Sequence, residues 1–227
     1  MEKPSTRLRS TLDIGKAVLA KNQGLADRLR EDFRQRGIFV MNVVSSPGSG
    51  KTELLARTLD RLSVEMRIGV IVGDLATDND AARLANRGAP VLQVNTDGYC
   101  HLEANMIREA ADSLGLDGLE LLIIENVGNL VCPSTHDLGE DLRVVLLSVT
   151  EGEDKPLKYP GIFKSSGIAL LTKCDLIDAV GFDLDSALLN IRNVAPQARI
   201  LETSARSSQG LDDWCQWVRD AVAAKKG

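Results

Sequence analysis

Aromatic residues are scarce in this chain, since phenylalanine, tryptophan and tyrosine together make up 4% of its 227 residues. So few rings argue against a surface on which nucleic-acid bases stack. The formal net charge of −5 at pH 7 argues in the same direction, because nucleic-acid partners favour basic proteins. We therefore expect no nucleic-acid partner.

Long apolar runs are lacking as well. No stretch approaches the length of about 20 apolar residues that crosses a bilayer, and residues 1–7 contain no apolar core of a signal peptide. The four cysteines are too sparse for a disulfide framework and include no Cys-x-x-Cys pair. We expect no membrane association and a cytoplasmic location, where the cysteines are core residues, metal ligands or reactive thiols.

A glycine loop between a β-branched run and a helical pattern is the main feature that is present. Strand, loop and helix in this order are typical of a phosphate-binding loop, whose backbone N–H groups surround phosphate oxygens. We expect Lys51 to reach the β- and γ-phosphates and the Thr52 hydroxyl to hold Mg²⁺. Ser45 replaces the first glycine of the motif, so its backbone must avoid the conformation that only glycine adopts. The candidate phosphate-binding residues are Ser46, Pro47, Gly48, Ser49, Gly50, Lys51 and Thr52.

Acidic residues end two further predicted strands. Asp74 ends the second strand, and Glu125 ends the strand over residues 120–125, with Gly128 three residues later. Ligands of open α/β sheets lie at the carboxyl ends of strands, so we expect both carboxylates to support Mg²⁺ and the Gly128 N–H to sense a γ-phosphate. Each carboxylate alone is also compatible with a solvated turn. The candidate catalytic residues are Lys51, Thr52, Asp74 and Glu125.

Two later loops indicate guanine recognition. Thr172-Lys173-Cys174-Asp175 resembles the N-K-x-D motif, and Thr203-Ser204-Ala205-Arg206 resembles the loop that meets the guanine O6. A carboxylate accepts hydrogen bonds from the guanine N1–H and N2 amino group, whereas adenine presents the wrong donors. Thr172 lacks the amide of asparagine and Arg206 replaces lysine, so we expect selectivity to rest on Asp175. The candidate base-binding residues are Thr172, Lys173, Asp175, Ser204 and Ala205.

Alternating strand and helix patterns predict an α/β fold of the P-loop NTPase type. We expect a three-layer α/β/α arrangement with a mostly parallel sheet, preceded by an N-terminal helical arm. The helical pattern of the arm covers residues 13–36, with Gly24 as a candidate break and residues 1–12 loosely ordered. We divide the chain into the tail and arm at 1–37 and the GTPase domain at 38–227.

Thiols and an imidazole occur near the γ-phosphate-sensing segment. Cys100 and His101 stand at a loop-to-helix junction, and Cys132 follows Gly128 closely. These are ligand types that Zn²⁺ and Ni²⁺ select, although buried cysteines and a surface histidine would also explain them. Three ligands leave room for water or for a second copy of the chain. His136 is a spare candidate that we interpret as an exposed polar residue, whereas Cys174 needs no function and Cys215 is expected in the core.

Taken together, these motifs resemble the hydrogenase nickel-incorporation GTPases, the HypB family of the SIMIBI-class P-loop GTPases. The segments that carry the resemblance are residues 36–52, 73–80, 100–102, 125–133 and 151–160. The resemblance implies a GTPase that uses GTP/GDP and Mg²⁺ and dimerises in a nucleotide-dependent way. It also implies that Cys100, His101 and Cys132 hold Ni²⁺ or Zn²⁺ at the dimer interface. The implied partners are the nickel-carrier accessory protein HypA and the hydrogenase large-subunit precursor.

Some expected features are missing from the sequence. A cysteine-rich N-terminal nickel motif and a histidine-rich tract are absent, which favours a delivery switch over a nickel store. No glutamine or arginine finger is evident, so we expect slow intrinsic hydrolysis. The rivals are a urease-type nickel-insertion GTPase, a metal-storage protein with a vestigial nucleotide site, and a small-molecule kinase. The first would carry a compact Cys-Pro-His motif, whereas Ser134 follows Cys132-Pro133 here.

Overall fold

A computed structural model describes residues 5–74 and 79–226 of the chain, with side chains described from Lys16 onward. Thr77 and Asp78, which belong to one of the segments carrying the resemblance, lie outside the described residues. Among the helices that are described, none is both long enough and apolar enough to cross a membrane.

The described residues form one sheet of seven strands, in which every pairing is parallel. The spatial order is β3-β2-β4-β1-β5-β6-β7, with strands at β1 (Phe39–Ser45), β2 (Ile68–Asp74), β3 (Val91–Asn95), β4 (Leu121–Gly128), β5 (Leu142–Ser148), β6 (Ile168–Thr172) and β7 (Arg199–Glu202). The described helices are α1 (Ser5–Gln35), α2 (Lys51–Leu62), α3 (Asn79–Leu84), α4 (Ala104–Leu114), α5 (Lys155–Lys158), α6 (Pro160–Lys164), α7 (Ile177–Val180), α8 (Leu184–Val194) and α9 (Leu211–Lys226). The predicted three-layer α/β/α fold with a parallel sheet is confirmed.

Helices cover both faces of the sheet, which explains why its central strands read as continuous apolar runs. On one face, Met41 of β1 packs in a cluster with residues of α2 and α9, including the buried Trp214. On the other face, the neighbouring Val40 packs with α1 and α4. Trp214 also donates from Nε1 to Thr58 Oγ1 at 2.9 Å. Cys215 is buried beside it, so the expected core position of Cys215 is confirmed.

The N-terminal arm is a single helix rather than a loose tail and two helices. Helix α1 begins at Ser5 and continues through Gly24, so the expected break is wrong, as is the expected loose order over residues 5–12; residues 1–4 lie outside the described residues. An interior glycine costs about 1 kcal/mol relative to alanine, which is less than burial of Leu29 and Phe33 contributes to the same helix. The helix ends before Gly37, whose φ of 68° suits the left-handed position after a helix. Division of the chain at residues 37 and 38 stays a prediction.

Candidate nucleotide and metal site

The phosphate loop joins β1 to α2 at the carboxyl edge of the sheet. Gly48 and Gly50 have φ angles of 74° and 93°, in the left-handed region that glycine adopts without strain. Ser45 is the last residue of β1, so its extended backbone needs no glycine, as predicted. Its Oγ accepts a hydrogen bond of 2.9 Å from Lys51 Nζ. The serine therefore gives the buried lysine a neutral partner that a phosphate oxygen can replace.

Lys51 is held in an apolar and acidic environment at the start of α2. The residue is 9% exposed, and this burial lowers the pKa of the ammonium group, while the nearby Glu125 and Asp80 carboxylates raise it. A buried ammonium with a single hydroxyl partner has unused donors. Lys51 is therefore placed to stabilise additional negative charge in this cavity.

Thr52 and Glu125 meet at the bottom of the same cavity. Thr52 Oγ1 donates to Glu125 Oε1 at 2.7 Å, while Glu125 Oε2 is buried without a hydrogen-bond partner among the described residues. Burial raises the pKa of Glu125 to about 7, against the opposing effects of Lys51 and of the Thr52 hydrogen bond. Asp74, at the end of β2, lines the cavity as well. A hydroxyl and two carboxylates are the oxygen donors that Mg²⁺ takes, and the orphaned oxygen fits such an ion.

The end of β4 lies directly against the phosphate loop. A Cβ atom added at Gly128 would stand 3.1 Å from both Cα and N of Pro47, so the backbone approach leaves no room for a side chain. Both residues line a cavity of about 500 Å³. Its lining comprises Pro47, Gly48, Ser49, Gly50, Lys51, Thr52, Glu53, Asp74, Asp80, Arg83, Val127, Gly128 and Lys173.

Two cations near the phosphate loop were not singled out in the sequence. Arg83 of α3 lines the phosphate cavity and pairs with Glu53 at 3.3 Å, although the sequence indicated no arginine there. Lys155 Nζ lies 3.4 Å from Ser46 Oγ and 3.5 Å from Glu151 Oε2. Lys155 belongs to the segment 151–160, which carried part of the resemblance. That membership could have identified it as a site residue from the sequence. Arg83 lies just beyond the segment 73–80, and no motif in the sequence includes it.

The predicted base-binding residues line a second cavity, of about 300 Å³, beside the phosphate loop. Thr172 Oγ1 donates to Ser49 O and Lys173 Nζ donates to Gly48 O, each at 2.7 Å. The hydroxyl of Thr172 thus links this loop to the phosphate loop without an asparagine amide. The lining comprises Ser49, Gly50, Glu53, Leu54, Thr172, Lys173, Asp175, Leu176, Thr203, Ser204, Ala205 and Arg206.

Asp175 is oriented by the second of the two guanine-type loops. Ser204 Oγ donates to Asp175 Oδ1 at 2.6 Å, which leaves the other carboxylate oxygen for a ligand. Cys174 points into the core instead, and burial raises the pKa of its thiol to about 11. The thiol is therefore protonated at neutral pH and unreactive, in agreement with the interpretation that it needs no function.

The three predicted metal ligands converge from two loops. Cys100 follows β3 through a turn closed by the Tyr99 N–H on Thr96 O, and Cys132 begins a short 3₁₀ turn over Cys132–Thr135. Their Sγ atoms are 2.7 Å apart, and Cys100 Sγ is 3.8 Å from His101 Nδ1. Their candidate donor atoms all lie within 4.8 Å of one another. The structure therefore brings together a thiol, thiol and imidazole set suited to Zn²⁺ or Ni²⁺.

The environment of Cys100 and His101 favours a protonated Cys100 thiol and a neutral imidazole. The hydrogen bond from Cys100 to Cys132 raises the pKa of Cys100, with burial acting in the same direction. Burial, followed by repulsion from His136, lowers the pKa of His101, so its ring is neutral at pH 7 and can bind a metal. Binding of an ion to the thiols would release protons.

His136 is not the exposed residue that the sequence interpretation made it. It is half-buried, and its ring lies against the His101 ring with the centroids 3.9 Å apart and the planes inclined by 36°. His136 Nδ1 lies 3.0 Å from Cys132 O, within the same turn. Nothing in the local sequence pairs these histidines, because they stand on different loops.

Comparison with known proteins identifies the family. A family model described as the CobW/HypB/UreG nucleotide-binding domain matches residues 39–202. The chain is 49% identical over 215 residues to the hydrogenase maturation factor HypB of Escherichia coli, which covers 95% of this chain and 74% of that protein. It is 37% identical over 219 residues to the probable hydrogenase maturation factor HypB of Methanocaldococcus jannaschii, covering 96% and 99% of the two chains.

A solved structure of HypB from Helicobacter pylori in complex with nickel aligns with a TM-score of 0.86 and 37% identity, covering 91% of this chain and 97% of that one. The HypB structure from Archaeoglobus fulgidus aligns with a TM-score of 0.84 and 36% identity, covering 89% and 99%. The residues matched by the family model include the phosphate loop, the base-binding loop at 172–175 and both cysteine segments. The chain therefore belongs to the CobW/HypB/UreG family of nucleotide-binding proteins and, within it, to the hydrogenase maturation factors HypB.

Proposed function

We propose that this chain is a GTP-hydrolysing metallochaperone that assists nickel insertion into the large-subunit precursor of a nickel–iron hydrogenase. The observation that carries the proposal is the placement of two sites close together along one segment of the chain, formed by β4 and the loop after it. Glu125 of β4 hydrogen-bonds Thr52 of the phosphate loop, and the chain continues from β4 to Cys132 in the thiol and imidazole cluster. A nucleotide-dependent change at one site therefore has a short path to the other.

Guanine is the base that suits the second cavity. Asp175 is held by Ser204 with one oxygen, so its carboxylate can accept from the guanine N1–H and N2 amino group. Lys173 and Thr172 tie this loop to the phosphate loop, which fixes the distance between base and phosphates. A lysine stem beside the cavity can also cover the face of the purine ring.

Hydrolysis would use residues on α2, β2 and β4. The Lys51 ammonium stabilises charge on the β- and γ-phosphates, while Thr52, Asp74 and Glu125 supply oxygen ligands for Mg²⁺. When bound, Mg²⁺ neutralises charge that develops on the phosphate oxygens. Arg83, which lines the same cavity, is held by Glu53 rather than directed at a phosphate. We therefore expect slow intrinsic turnover.

Coupling between nucleotide and metal is the central part of the proposed cycle. Gly128 lies against Pro47 of the phosphate loop. A γ-phosphate that accepts a hydrogen bond from the Gly128 N–H would therefore shift the segment 125–136, which includes Cys132. A homodimer would complete the coordination of Ni²⁺ or Zn²⁺ with ligands from a second copy. HypA and the hydrogenase precursor are the proposed partners, and the cytoplasmic location stays a prediction.

The proposal is tested by titrating Ni²⁺ and Zn²⁺ into the wild-type chain, with either GDP or a non-hydrolysable GTP analogue bound. Coupling free energies of about 1–3 kcal/mol predict that metal affinity differs at least about fivefold between the two nucleotide states. Cys132→Ala should weaken binding and abolish this difference, whereas Ser134→Ala in the same turn should leave both unchanged. Equal metal affinity with both nucleotides would refute the coupling, and wild-type affinity in Cys132→Ala would refute the ligand assignment.

A further inference from the structure

A second group of metal-ligating side chains shares His101 with the first group but contains neither cysteine. In the described part of the chain, the candidate donor atoms of His101, Glu103 and His136 lie within 4.8 Å of one another. His101 Nδ1 is 3.8 Å from Cys100 Sγ, whereas His101 Nε2 is 3.7 Å from Glu103 Oε1. The ring therefore presents one nitrogen to each group of ligands.

The second nitrogen of His101 has no other use in the described structure. Nε2 is buried and makes no hydrogen bond with any described residue, because the distance to Glu103 is too long for one. A buried polar atom without a partner costs about 1–3 kcal/mol. An ion bound between His101 and Glu103 would remove this cost.

His136 is oriented for ligation by its own turn. Its Nδ1 lies 3.0 Å from the carbonyl oxygen of Cys132, and a carbonyl can only accept. Thr135 Oγ1 lies 3.3 Å from the same nitrogen and can accept as well. A proton on Nδ1 satisfies the carbonyl contact and leaves the Nε2 lone pair available. Metal-binding histidines commonly donate their other N–H to a backbone carbonyl in this way.

We propose that His101, Glu103 and His136 form a second binding position for a divalent ion of the Ni²⁺ type. We call it the carboxylate position, and we call the set Cys100, His101 and Cys132 the thiol position. Two imidazoles and a carboxylate suit a borderline ion such as Ni²⁺, whereas thiolates favour softer coordination. The two positions differ in chemistry but share one side chain.

Sharing His101 makes the two positions alternatives for one ion. A neutral imidazole has one proton and one free lone pair, so an ion on Nδ1 leaves the proton on Nε2. An ion on Nε2 requires the proton on Nδ1 instead. Movement of an ion from the thiol position to the carboxylate position thus exchanges the two tautomers of His101, with no net loss of a proton from the ring.

The carboxylate position needs only a small adjustment to hold an ion. Metal–nitrogen and metal–oxygen bonds of about 2.0–2.2 Å place ligand atoms roughly 3–3.5 Å apart, compared with separations of up to 4.8 Å here. The Glu103 side chain retains 27% of its exposure, so rotation about its side-chain bonds can close this gap.

This inference extends the proposed function and depends on it only for the thiol position. The test removes that position with Cys100→Ser and Cys132→Ser together in the full chain, and then titrates Ni²⁺ alone. We expect one Ni²⁺ still to bind, without the near-ultraviolet charge-transfer absorption that thiolate ligands give. Adding His136→Phe or Glu103→Gln should then weaken Ni²⁺ binding at least tenfold, while Glu109→Gln on the exposed side of α4 should not.

Thermal unfolding of each variant establishes that it is folded before its affinity is compared. The inference is overturned if the double serine variant binds no Ni²⁺, or if His136→Phe and Glu103→Gln leave its affinity unchanged. Both results would leave the proposed function intact, because nucleotide-dependent binding at the thiol position is measured separately by its charge-transfer absorption in the wild-type chain.

Discussion

The base-binding region and the phosphate and metal region lie at the same edge of the sheet, but their polar atoms are satisfied to very different degrees. In the base-binding region, Thr172, Lys173 and Ser204 all donate to partners within the protein, at 2.6–2.7 Å. In the phosphate and metal region, Glu125 Oε2 and His101 Nε2 are buried and, among the described residues, lack hydrogen-bond partners. In the base-binding region these donors are paired within the protein and one oxygen of Asp175 is left for a ligand, whereas the other region contains buried acceptor atoms that suit ions.

This difference indicates how the two regions work. A base pocket that is already ordered loses little conformational entropy when guanine binds. Its affinity for guanine should therefore stay nearly constant through the nucleotide cycle. Buried atoms without partners instead raise the free energy of the ion-free state, so ligand binding there releases more energy. We therefore expect conformational switching to be confined to the segments near Glu125 and Cys132.

The largest expected effect breaks the ordered base pocket. Asp175→Asn replaces a carboxylate that accepts two guanine hydrogen bonds with an amide whose NH₂ faces the N1–H donor. Two charge-assisted hydrogen bonds at about 2 kcal/mol each predict GTP binding about 1,000-fold weaker. Competition between fluorescent GDP and unlabelled GTP measures this loss. Asp178→Asn, on the following helix, serves as the control and should bind normally; an equal loss there would mean that the effect is not base recognition.

The next prediction concerns the effect of the buried Glu125 carboxyl on the free energy of unfolding. Burial raises the pKa of Glu125 from its ordinary value of 4.5 to about 7, so the folded state binds the proton more tightly than the unfolded chain. Stability without nucleotide and Mg²⁺ should therefore fall as pH rises from about 4.5 to about 7, by roughly 3 kcal/mol, and stay low above that range. Urea unfolding at about pH 5 and about pH 8 measures it.

Glu125→Gln removes this titration and should flatten the pH dependence, while the exposed Glu109→Gln should keep it. Mg²⁺ with GDP should also flatten the wild-type profile, because an adjacent cation favours the charged carboxylate. Parallel pH profiles for wild type and Glu125→Gln would show that the buried carboxylate carries no such cost, and the contrast between the two regions would then lose its energetic meaning.

The sequence predicted the strands and the nucleotide loops well, because each is a local pattern. Buried apolar runs fixed the strands to within a few residues, and Asp175 follows its strand in a short motif. The arm was predicted less well. Gly24 is a helix breaker by propensity, but the structure leaves open space around it and buries Leu29 and Phe33 further along the same helix.

The contact between His101 and His136 could not be read from the sequence. The two rings lie 3.9 Å apart, yet they stand on loops after different strands, and no periodic pattern relates such positions. Only the order of strands in the sheet, with β2 between β3 and β4, brings these loops to one edge. The same reason applies to Arg83, whose helix follows β2 and whose role depends on three-dimensional proximity to α2.

The smallest expected effect tests a single link within the ordered region. Thr172 is 4% exposed and its hydroxyl is bonded to Ser49 O, so Thr172→Val leaves a buried carbonyl without its partner while conserving side-chain volume. We expect a loss of about 1 kcal/mol in the free energy of unfolding and a severalfold loss of GDP affinity. Denaturant unfolding and fluorescent GDP titration measure the two quantities.

Thr135→Val is the matched change in the metal region, where the hydroxyl is exposed and bonded to Cys132 O at only 3.4 Å. A change within about 0.5 kcal/mol is expected there, as for most surface substitutions. Thr172→Ser, which keeps the donor, should retain most of the wild-type affinity, and Thr172→Asn tests whether the usual amide can make the same link. If Thr172→Val and Thr135→Val cost equally little, the hydrogen bonds of the base-binding region do not preorganise it, and its order must come from the packing of β6 against β5 and β7 instead.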